Sequence, residues 1–100
     1  MIYSFEWDQY KSKINQSKHD VTFEEAMTVF YDENALLEYD NLHSNDEDRF
    51  RILGSSELGN ILLVVHCIRK EKIIRIISAR KATLTERRNY ERVFEYDKKR

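Results

Sequence analysis

Residues 60–68, Asn-Ile-Leu-Leu-Val-Val-His-Cys-Ile, form a nearly continuous apolar run in this 100-residue chain. A short apolar run rich in β-branched residues predicts a strand covered on both faces, and such a strand needs neighbours on both sides. Short polar turns separate it from residues 49–53 and 73–79, which are also predicted to be strands. Consecutive strands joined by short turns usually pair with each other. The pattern therefore predicts an antiparallel meander with residues 60–68 at its centre.

Capping residues followed by apolar residues at helical spacing predict the helices. They are predicted over residues 9–17 after Asp8, about 23–31 after Thr22, and about 84–96 after Thr83. Both threonines are followed three residues later by a glutamate, Glu25 or Glu86, which completes a capping-box pattern. Further strands over residues 2–5 and 35–39 give the order β-α-α-β-β-β-β-α. We predict an α+β fold in which an N-terminal helix pair packs on an antiparallel β-sheet and a C-terminal helix follows, all helices covering one sheet face.

Charge is unevenly distributed along the chain. Residues 1–50 hold twelve acidic and four basic residues, a net charge of −8, whereas residues 51–100 hold six acidic and thirteen basic residues, a net charge of +7. Such asymmetry indicates a nucleic acid or another charged partner. An apolar content of 41% with 35% charged residues is typical of a globular domain. The composition therefore favours a globular domain over a disordered chain, and the charge asymmetry is a hint of a charged partner.

Length and cysteine content suggest one domain over residues 1–100 in a reducing compartment. The single Cys67 cannot form an internal disulfide, and its apolar neighbours predict that it is a core residue. The N-terminus has no signal-peptide pattern, and no segment approaches the ~20 apolar residues needed to span a bilayer. We therefore expect a cytoplasmic protein that does not contact membranes.

The chemistry-bearing residues fit one type of reaction better than others. The sequence has no glycine-rich phosphate loop, no metal-ligand spacing and no nucleophile pattern, so neither a cofactor nor a metal is predicted. What remains is a set of cations with a few proton-exchanging groups: Lys18, His19, Arg49, Arg51, Arg75, Arg80, Lys81, Glu86 and Tyr90. RNA cleavage needs a base for the ribose 2′-OH, an acid for the leaving 5′-oxygen, and cations around the developing negative charge. The set therefore predicts metal-independent RNA cleavage.

Each of these residues also has a structural interpretation. His19 lies between two predicted helices, where it could cap the first one. Arg49 and Arg51 could pair with nearby acids, and Glu86 could serve only its capping box. Trp7 is better explained as a core anchor than as a base-stacking platform, because its neighbours are apolar.

Blocks spread along the chain resemble the BrnT-type toxins of bacterial type II toxin–antitoxin systems. The matching blocks are Phe5-Glu6-Trp7-Asp8 with Lys11 and Asn15, Lys18-His19 with Val21 and Phe23, Glu25-Ala26, Glu47-x-Arg49 with Gly54, Leu63-x-Val65, Arg75-Ile76-Ile77-Ser78-Ala79-Arg80-Lys81-Ala82, Glu86-Arg87 and Tyr90-Glu91. Their order and spacing together carry the resemblance, which covers nearly the whole chain.

The resemblance implies a RelE-like ribonuclease fold and RNA cleavage that inhibits translation. It also implies a cognate BrnA-like antitoxin, which neutralises the toxin and binds operator DNA through a ribbon-helix-helix domain. The family's basic site would correspond here to Lys18, His19, Arg49, Arg75 and Arg80, with Lys81 and Glu86. One departure is Asp20, where the family usually has glycine. Glycine there suggests a positive φ, which aspartate tolerates better than most residues, but Asp20 adds a negative charge beside the predicted site.

We assign roles within this site as hypotheses. The predicted catalytic residues are His19, Arg49, Arg75, Arg80 and Glu86, and the predicted RNA-binding residues are Lys18, Arg51, Lys81 and Tyr90. Arg75 and Arg80 would stabilise the transition state while Arg49 holds phosphate, and His19 would exchange protons, with Glu86 as the second candidate. Regular alternation would place Arg75 and Arg80 on opposite sheet faces, so both can act only if the strand is irregular between them.

Two other functions stay open at this stage. The first is a catalytically weak or inactive module that binds a partner and acts in transcriptional autoregulation, which Asp20 favours. The second is a nucleic-acid-binding protein without catalysis, in which the arginines would serve only as phosphate contacts.

Overall fold

The structure, a computed structural model, describes residues 3–44, 47–70 and 72–98. In chain order the elements are β1 (Ser4–Glu6), α1 (Gln9–His19), α2 (Phe23–Thr28), β2 (Leu36–Tyr39), β3 (Arg49–Ser55), β4 (Ile61–Arg69), β5 (Ile73–Lys81) and α3 (Leu84–Lys98). The predicted order of elements is confirmed. A 3-10 turn, Val29–Tyr31, takes the place of the last part of the predicted second helix. Ile2, at the start of the predicted first strand, lies outside the described residues.

The five strands form one mixed sheet in the order β1-β5-β4-β3-β2. Strands β2 to β5 form the predicted antiparallel meander, and β4 is its central strand. The prediction of a wholly antiparallel sheet is wrong at one edge, because β1 pairs parallel to β5, with Ser4–Glu6 beside Ile73–Arg75. Parallel pairing requires a long crossover connection. Two helices and three strands lie between β1 and β5 and supply it.

The helices lie on both faces of the sheet. Helices α1 and α2 cover the face that we call inner, whose core consists of Val21, Phe23, Ala26, Val29, Ile52, Leu62, Val64, Ile74, Ile76 and Ala79. Helix α3 packs on the other, outer face, where Tyr90 covers Leu53 and Leu63. The prediction that all helices share one face is therefore wrong, because these leucines form a second apolar area. Among the described residues no helix is long and apolar enough to span a membrane.

The N-terminal caps follow the sequence pattern in two helices and depart from it in one. The carboxylate of Asp8 accepts from the Lys11 N–H at the start of α1, as predicted. At α3, the Thr83 and Glu86 pair forms the full box, with reciprocal bonds of 3.2 and 2.8 Å. At α2, Thr22 caps the Glu25 N–H, but the Glu25 carboxylate accepts from Ser56 and Asn60 instead of completing the box. That carboxylate thereby ties α2 to the turn between β3 and β4.

Gly54 lies where strand β3 passes closely under the segment between α2 and β2. A Cβ at this position would lie 2.9 Å from the Ala35 Cβ and 3.0 Å from both the Val29 Cγ1 and the Asp32 Oδ2. Asp32 is fixed there because its carboxylate accepts from the Ser55 N–H at 2.8 Å and from the Tyr90 hydroxyl at 2.6 Å. The close approach therefore requires glycine.

We predict that Gly54→Ala lowers the free energy of unfolding by about 1–3 kcal/mol, the usual cost of overpacking a filled core. Gly59→Asn is the matched control. Gly59 lies in a turn with φ 85° and open space around it, and asparagine tolerates this conformation. Urea unfolding of both variants checks the prediction, which equal stabilities would contradict.

His66 is a core residue of the inner face and is 2% exposed. Its ring packs edge-on against Phe30 at 4.7 Å between centroids and stacks on Phe50 at 5.9 Å. Its Nδ1 lies 3.3 Å from the Val64 carbonyl oxygen. Burial lowers the pKa of His66 to about 4. The residue is therefore neutral in the folded protein at pH 7 and serves packing.

We predict that folding stability falls as the pH decreases from 6.5 towards 4, because the unfolded chain takes up a proton on His66 before the folded one does. The full loss is about 3 kcal/mol, at roughly 1.4 kcal/mol per unit of pKa difference. Urea unfolding at pH 7.0, 5.5 and 4.5 measures it. The fall in stability with decreasing pH should be smaller in His66→Phe and should persist in the control His19→Gln, because the His19 side chain makes no hydrogen bond among the described residues. An equal slope in all three proteins would contradict this account.

Candidate active site

The outer face of the sheet carries three rows of side chains that run across the strands. The first row, from β2 to β5, is Leu36, Leu53, Leu63 and Arg80. The second row, also from β2 to β5, is Glu38, Arg51, Val65 and Ser78. The third row, from β3 to β1, is Arg49, Cys67, Arg75 and Glu6. Helix α3 covers the leucines of the first row. Arg49, Arg51, Arg75 and Arg80, which we call the arginine platform, surround Val65. At the usual strand and residue spacings their Cα atoms lie within about 17 Å of one another.

An extra residue in β5 creates this arrangement. Arg75 pairs with Cys67 and Ile76 with His66, but the next pair is Val65 with Ser78, so Ile77 has no partner on β4. Such a β-bulge reverses the alternation of side chains beyond it. Arg80, which pairs with Leu63, therefore lies on the same face as Arg75. The bulge at Ile77 is the strand irregularity that is needed for Arg75 and Arg80 to lie on one face.

Asn15 fastens helix α1 to β5 immediately after the bulge. Its side-chain amide donates to the Ala79 carbonyl at 2.8 Å, and its Oδ1 accepts from the Ala79 N–H at 3.0 Å. The same amide donates to the Val21 carbonyl at 3.0 Å. Strand β1 has ended before this point, so Asn15 satisfies backbone groups at an open sheet edge. The asparagine takes the place of a neighbouring strand for one residue.

Lys18 and His19 lie beside the platform rather than within it. Both are in the last turn of α1 and line a groove of about 200 Å³ at the β5 edge, which Ile77 and Ser78 also line. Ser78 belongs to the second row of the outer face, so the groove opens next to the platform. The structure therefore brings His19 to the border of the platform.

Three of the four platform arginines are held by carboxylates. Arg75 donates to Glu6 at 2.8 Å, Arg80 forms two bonds to Glu86 at 2.8 and 3.1 Å, and Arg51 pairs with Glu38. Among the described residues, Arg49 has no side-chain hydrogen bond. Partly exposed ion pairs contribute only about 0–1 kcal/mol. The pairs therefore add little to stability but fix the directions in which the three guanidiniums point.

Glu86 anchors Arg80. The hydrogen bonds from Arg80, supported by that from the Thr83 N–H, lower the pKa of Glu86 to about 2. The carboxylate is ionised at neutral pH and is a weak base. The geometry therefore supports a positioning role for Glu86 in place of the predicted exchange of protons.

Two predicted RNA-binding residues lie away from the platform. Tyr90 is 9% exposed, and its hydroxyl donates to Asp32 at 2.6 Å. Burial and the Asp32 carboxylate raise the pKa of Tyr90 to about 12. This ring packs on leucines and offers no free face for base stacking. Lys81 pairs with Leu62 and so lies on the inner side of the sheet, opposite to Arg80.

Sequence reasoning assigned no role to three polar residues of this region. Glu6 and Glu38 pair with platform arginines, and Asn15 fixes the strand that carries two of them. Asn15 stands in the interior of a predicted helix, where asparagine is unfavourable, and that is the one signal that could have indicated a tertiary role. Within the described ranges, no three His, Cys, Asp or Glu side chains are grouped to hold a metal ion.

Fold and site together define a small α+β protein with four arginines on one face of its sheet. A family model described as "Ribonuclease toxin, BrnT, of type II toxin-antitoxin system" matches residues 7–86. The chain therefore belongs to the BrnT family of ribonuclease toxins.

The fold is also that of a solved member of this family. The crystal structure of the Brucella abortus ribonuclease toxin BrnT superposes with a TM-score of 0.63 at 20% sequence identity, and the match covers 82% of this chain and 99% of that one. No curated protein sequence matches the chain significantly. At this identity the similarity establishes the fold, so the site residues rest on the geometry above.

We predict that Glu86→Gln lowers the free energy of unfolding at pH 7 by about 1 kcal/mol, because it weakens a cap and an ion pair. The lowered pKa of Glu86 means that this stabilisation is present above pH 4.5 and disappears as the pH falls towards 2. Urea unfolding at pH 7 and pH 3 measures the difference between wild type and variant, which should shrink at pH 3. Glu91→Gln, exposed on the same helix, is the control and should show neither effect.

Proposed function

We propose that this protein is a translation-inhibiting endoribonuclease toxin of RelE-like type that cleaves RNA without a metal ion. It acts in the cytoplasm, where its substrate is, and a cognate BrnA-like antitoxin with a ribbon-helix-helix domain neutralises it and contacts operator DNA. The observation that carries the proposal is the placement of Arg49, Arg51, Arg75 and Arg80 on one sheet face. Membership of the BrnT family supports the same activity.

The proposed reaction is cleavage by the neighbouring ribose hydroxyl. The 2′-oxygen forms a bond to phosphorus as the bond from phosphorus to the 5′-oxygen breaks, one proton leaves the 2′-hydroxyl, and one is supplied to the 5′-oxygen. The phosphorane between these states carries extra negative charge, so preorganised cations stabilise it more than the ground state. Arginine is suited to this because its guanidinium stays charged and binds two phosphate oxygens at once.

We assign the charge-stabilising role to Arg75 and Arg80 and the holding of phosphate to Arg49, with Arg51 and Lys18 as further RNA contacts. His19 exchanges protons with the substrate from the border of the platform. Glu86 and Glu6 hold the Arg80 and Arg75 guanidiniums in place in the free protein, and phosphate takes the place of these carboxylates in the complex. In this scheme Glu86 is a positioning residue.

We predict that induced expression of the wild type arrests growth and that Arg80→Ala relieves the arrest. The removal of one preorganised charge contact should lower the rate of RNA cleavage by about 100-fold or more. Growth curves and a cleavage assay on purified protein measure both effects. His19→Ala should relieve the arrest as well.

Arg88→Ala is the matched control, because Arg88 is exposed on α3 and outside the platform. Circular dichroism shows whether each variant is folded. Normal growth with soluble, folded wild type would favour the inactive partner-binding module. Salt-dependent RNA binding without cleavage would instead identify a nucleic-acid-binding protein in which the arginines are only phosphate contacts.

A further inference from the structure

A pocket of about 190 Å³ lies on the outer face beside the arginine platform. Its floor and rim are formed by Leu36, Leu53, Leu63, Glu38, Arg51 and Asn89. Glu86, which holds Arg80, also lines it. The pocket therefore shares one wall with the place where a substrate phosphate would bind.

We propose that this pocket binds one nucleobase of the RNA, the base attached to a nucleotide whose phosphate contacts Arg80. The proposal rests on the proposed function and deepens it, because it assigns a subsite for base recognition. The residues that would set base preference are Glu38 and Asn89.

Size favours a single base. Pockets for drug-sized ligands measure roughly 300–1,000 Å³, so this one suits a smaller planar group. Its apolar lining comes from Leu36 and from Leu37, which is 62% exposed, while Leu53 and Leu63 lie at its base beside Tyr90 and are nearly buried. Sequence-specific proteins read single-stranded RNA by stacking its bases on aromatic rings or arginine guanidinium planes and by bonding to the base edges. Arg51 supplies a guanidinium in this pocket.

The rim can read the edge of a base. The Asn89 amide offers donors, while its Oδ1 accepts from Arg92 at 3.0 Å, and the Glu38 carboxylate offers acceptors. The Arg51 Nε is buried and has no hydrogen-bond partner among the described residues. A planar guanidinium can also stack on a base. The pocket thus combines an apolar floor with donors and acceptors at its mouth.

The pairing of β4 with β5 places the pocket close to Arg80 of the arginine platform. Leu63 on its floor pairs directly with Arg80 on the next strand, at the strand spacing of about 5 Å. A base in the pocket would therefore lie close to Arg80, and its phosphate would reach the Arg80 guanidinium by taking the place of the Glu86 carboxylate.

The test uses RNA tetranucleotides with 2′-O-methyl ribose, which lack the attacking hydroxyl and cannot be cleaved. One position at a time carries A, G, C, U or no base, and NMR titration gives each dissociation constant. At one position, wild type should bind at least one base about tenfold more tightly than the abasic analogue, the scale of one base contact. Glu38→Gln and Asn89→Leu, both at exposed positions, should reduce that preference, whereas the control Glu91→Gln should retain it.

Equal affinity of wild type for all bases and for the abasic analogue would overturn the proposal, as would an unchanged preference in both pocket variants. Cleavage of unmodified RNA is measured separately. Cleavage without base preference would contradict base binding by the pocket and would still support the proposed nuclease activity. Base preference without cleavage would support the pocket and contradict the proposed nuclease activity.

Discussion

The pairing of the Asn15 side chain with the backbone of Ala79 is the interaction on which the outer face depends. It satisfies both polar groups of a residue that follows the bulge at an open sheet edge, where a missing partner would cost about 1–3 kcal/mol for each buried group. By fixing α1 to β5, it holds the strand in the register that puts Arg80 on the same face as Arg75. A β5 without the extra residue would turn one of the two towards α1 and α2.

The carboxylates on the platform explain how a chain of net charge −1 can present four arginines on one face. Each pair neutralises a guanidinium that would otherwise repel its neighbours, and it fixes the side chain in a defined direction. Because the pairs are partly exposed, they stabilise the fold only slightly, and phosphate oxygens offer the same bidentate geometry as a carboxylate. The carboxylates therefore hold three of the four guanidiniums in defined directions in the free protein.

The sequence predicted what depends on local patterns and missed what depends on distant contacts. Apolar runs and capping residues predicted every element and the central position of β4, since periodicity and caps are local properties. The parallel pairing of β1 was missed because a three-residue strand carries no signal for its partner. The position of α3 was missed although residues 60–68 were predicted to be covered on both faces, because no local pattern showed which helix covers the second face. The same holds for the site. The sequence identified the four arginines as candidate site residues, but it did not predict the bulge in β5 that places Arg75 and Arg80 on one face.

Asp20 illustrates how a departure from a family pattern can preserve the fold while it changes the electrostatics. It ends α1 with φ 57° and ψ 36°, the left-handed conformation that glycine adopts most easily, and its N–H donates to the Gln16 carbonyl at 2.8 Å. Aspartate reaches this region with less strain than most residues, so the helix end that carries Lys18 and His19 is retained. Its exposed carboxylate follows these two residues directly in the chain. Asp20 therefore adds a negative charge next to Lys18 and His19 while α1 keeps a left-handed end.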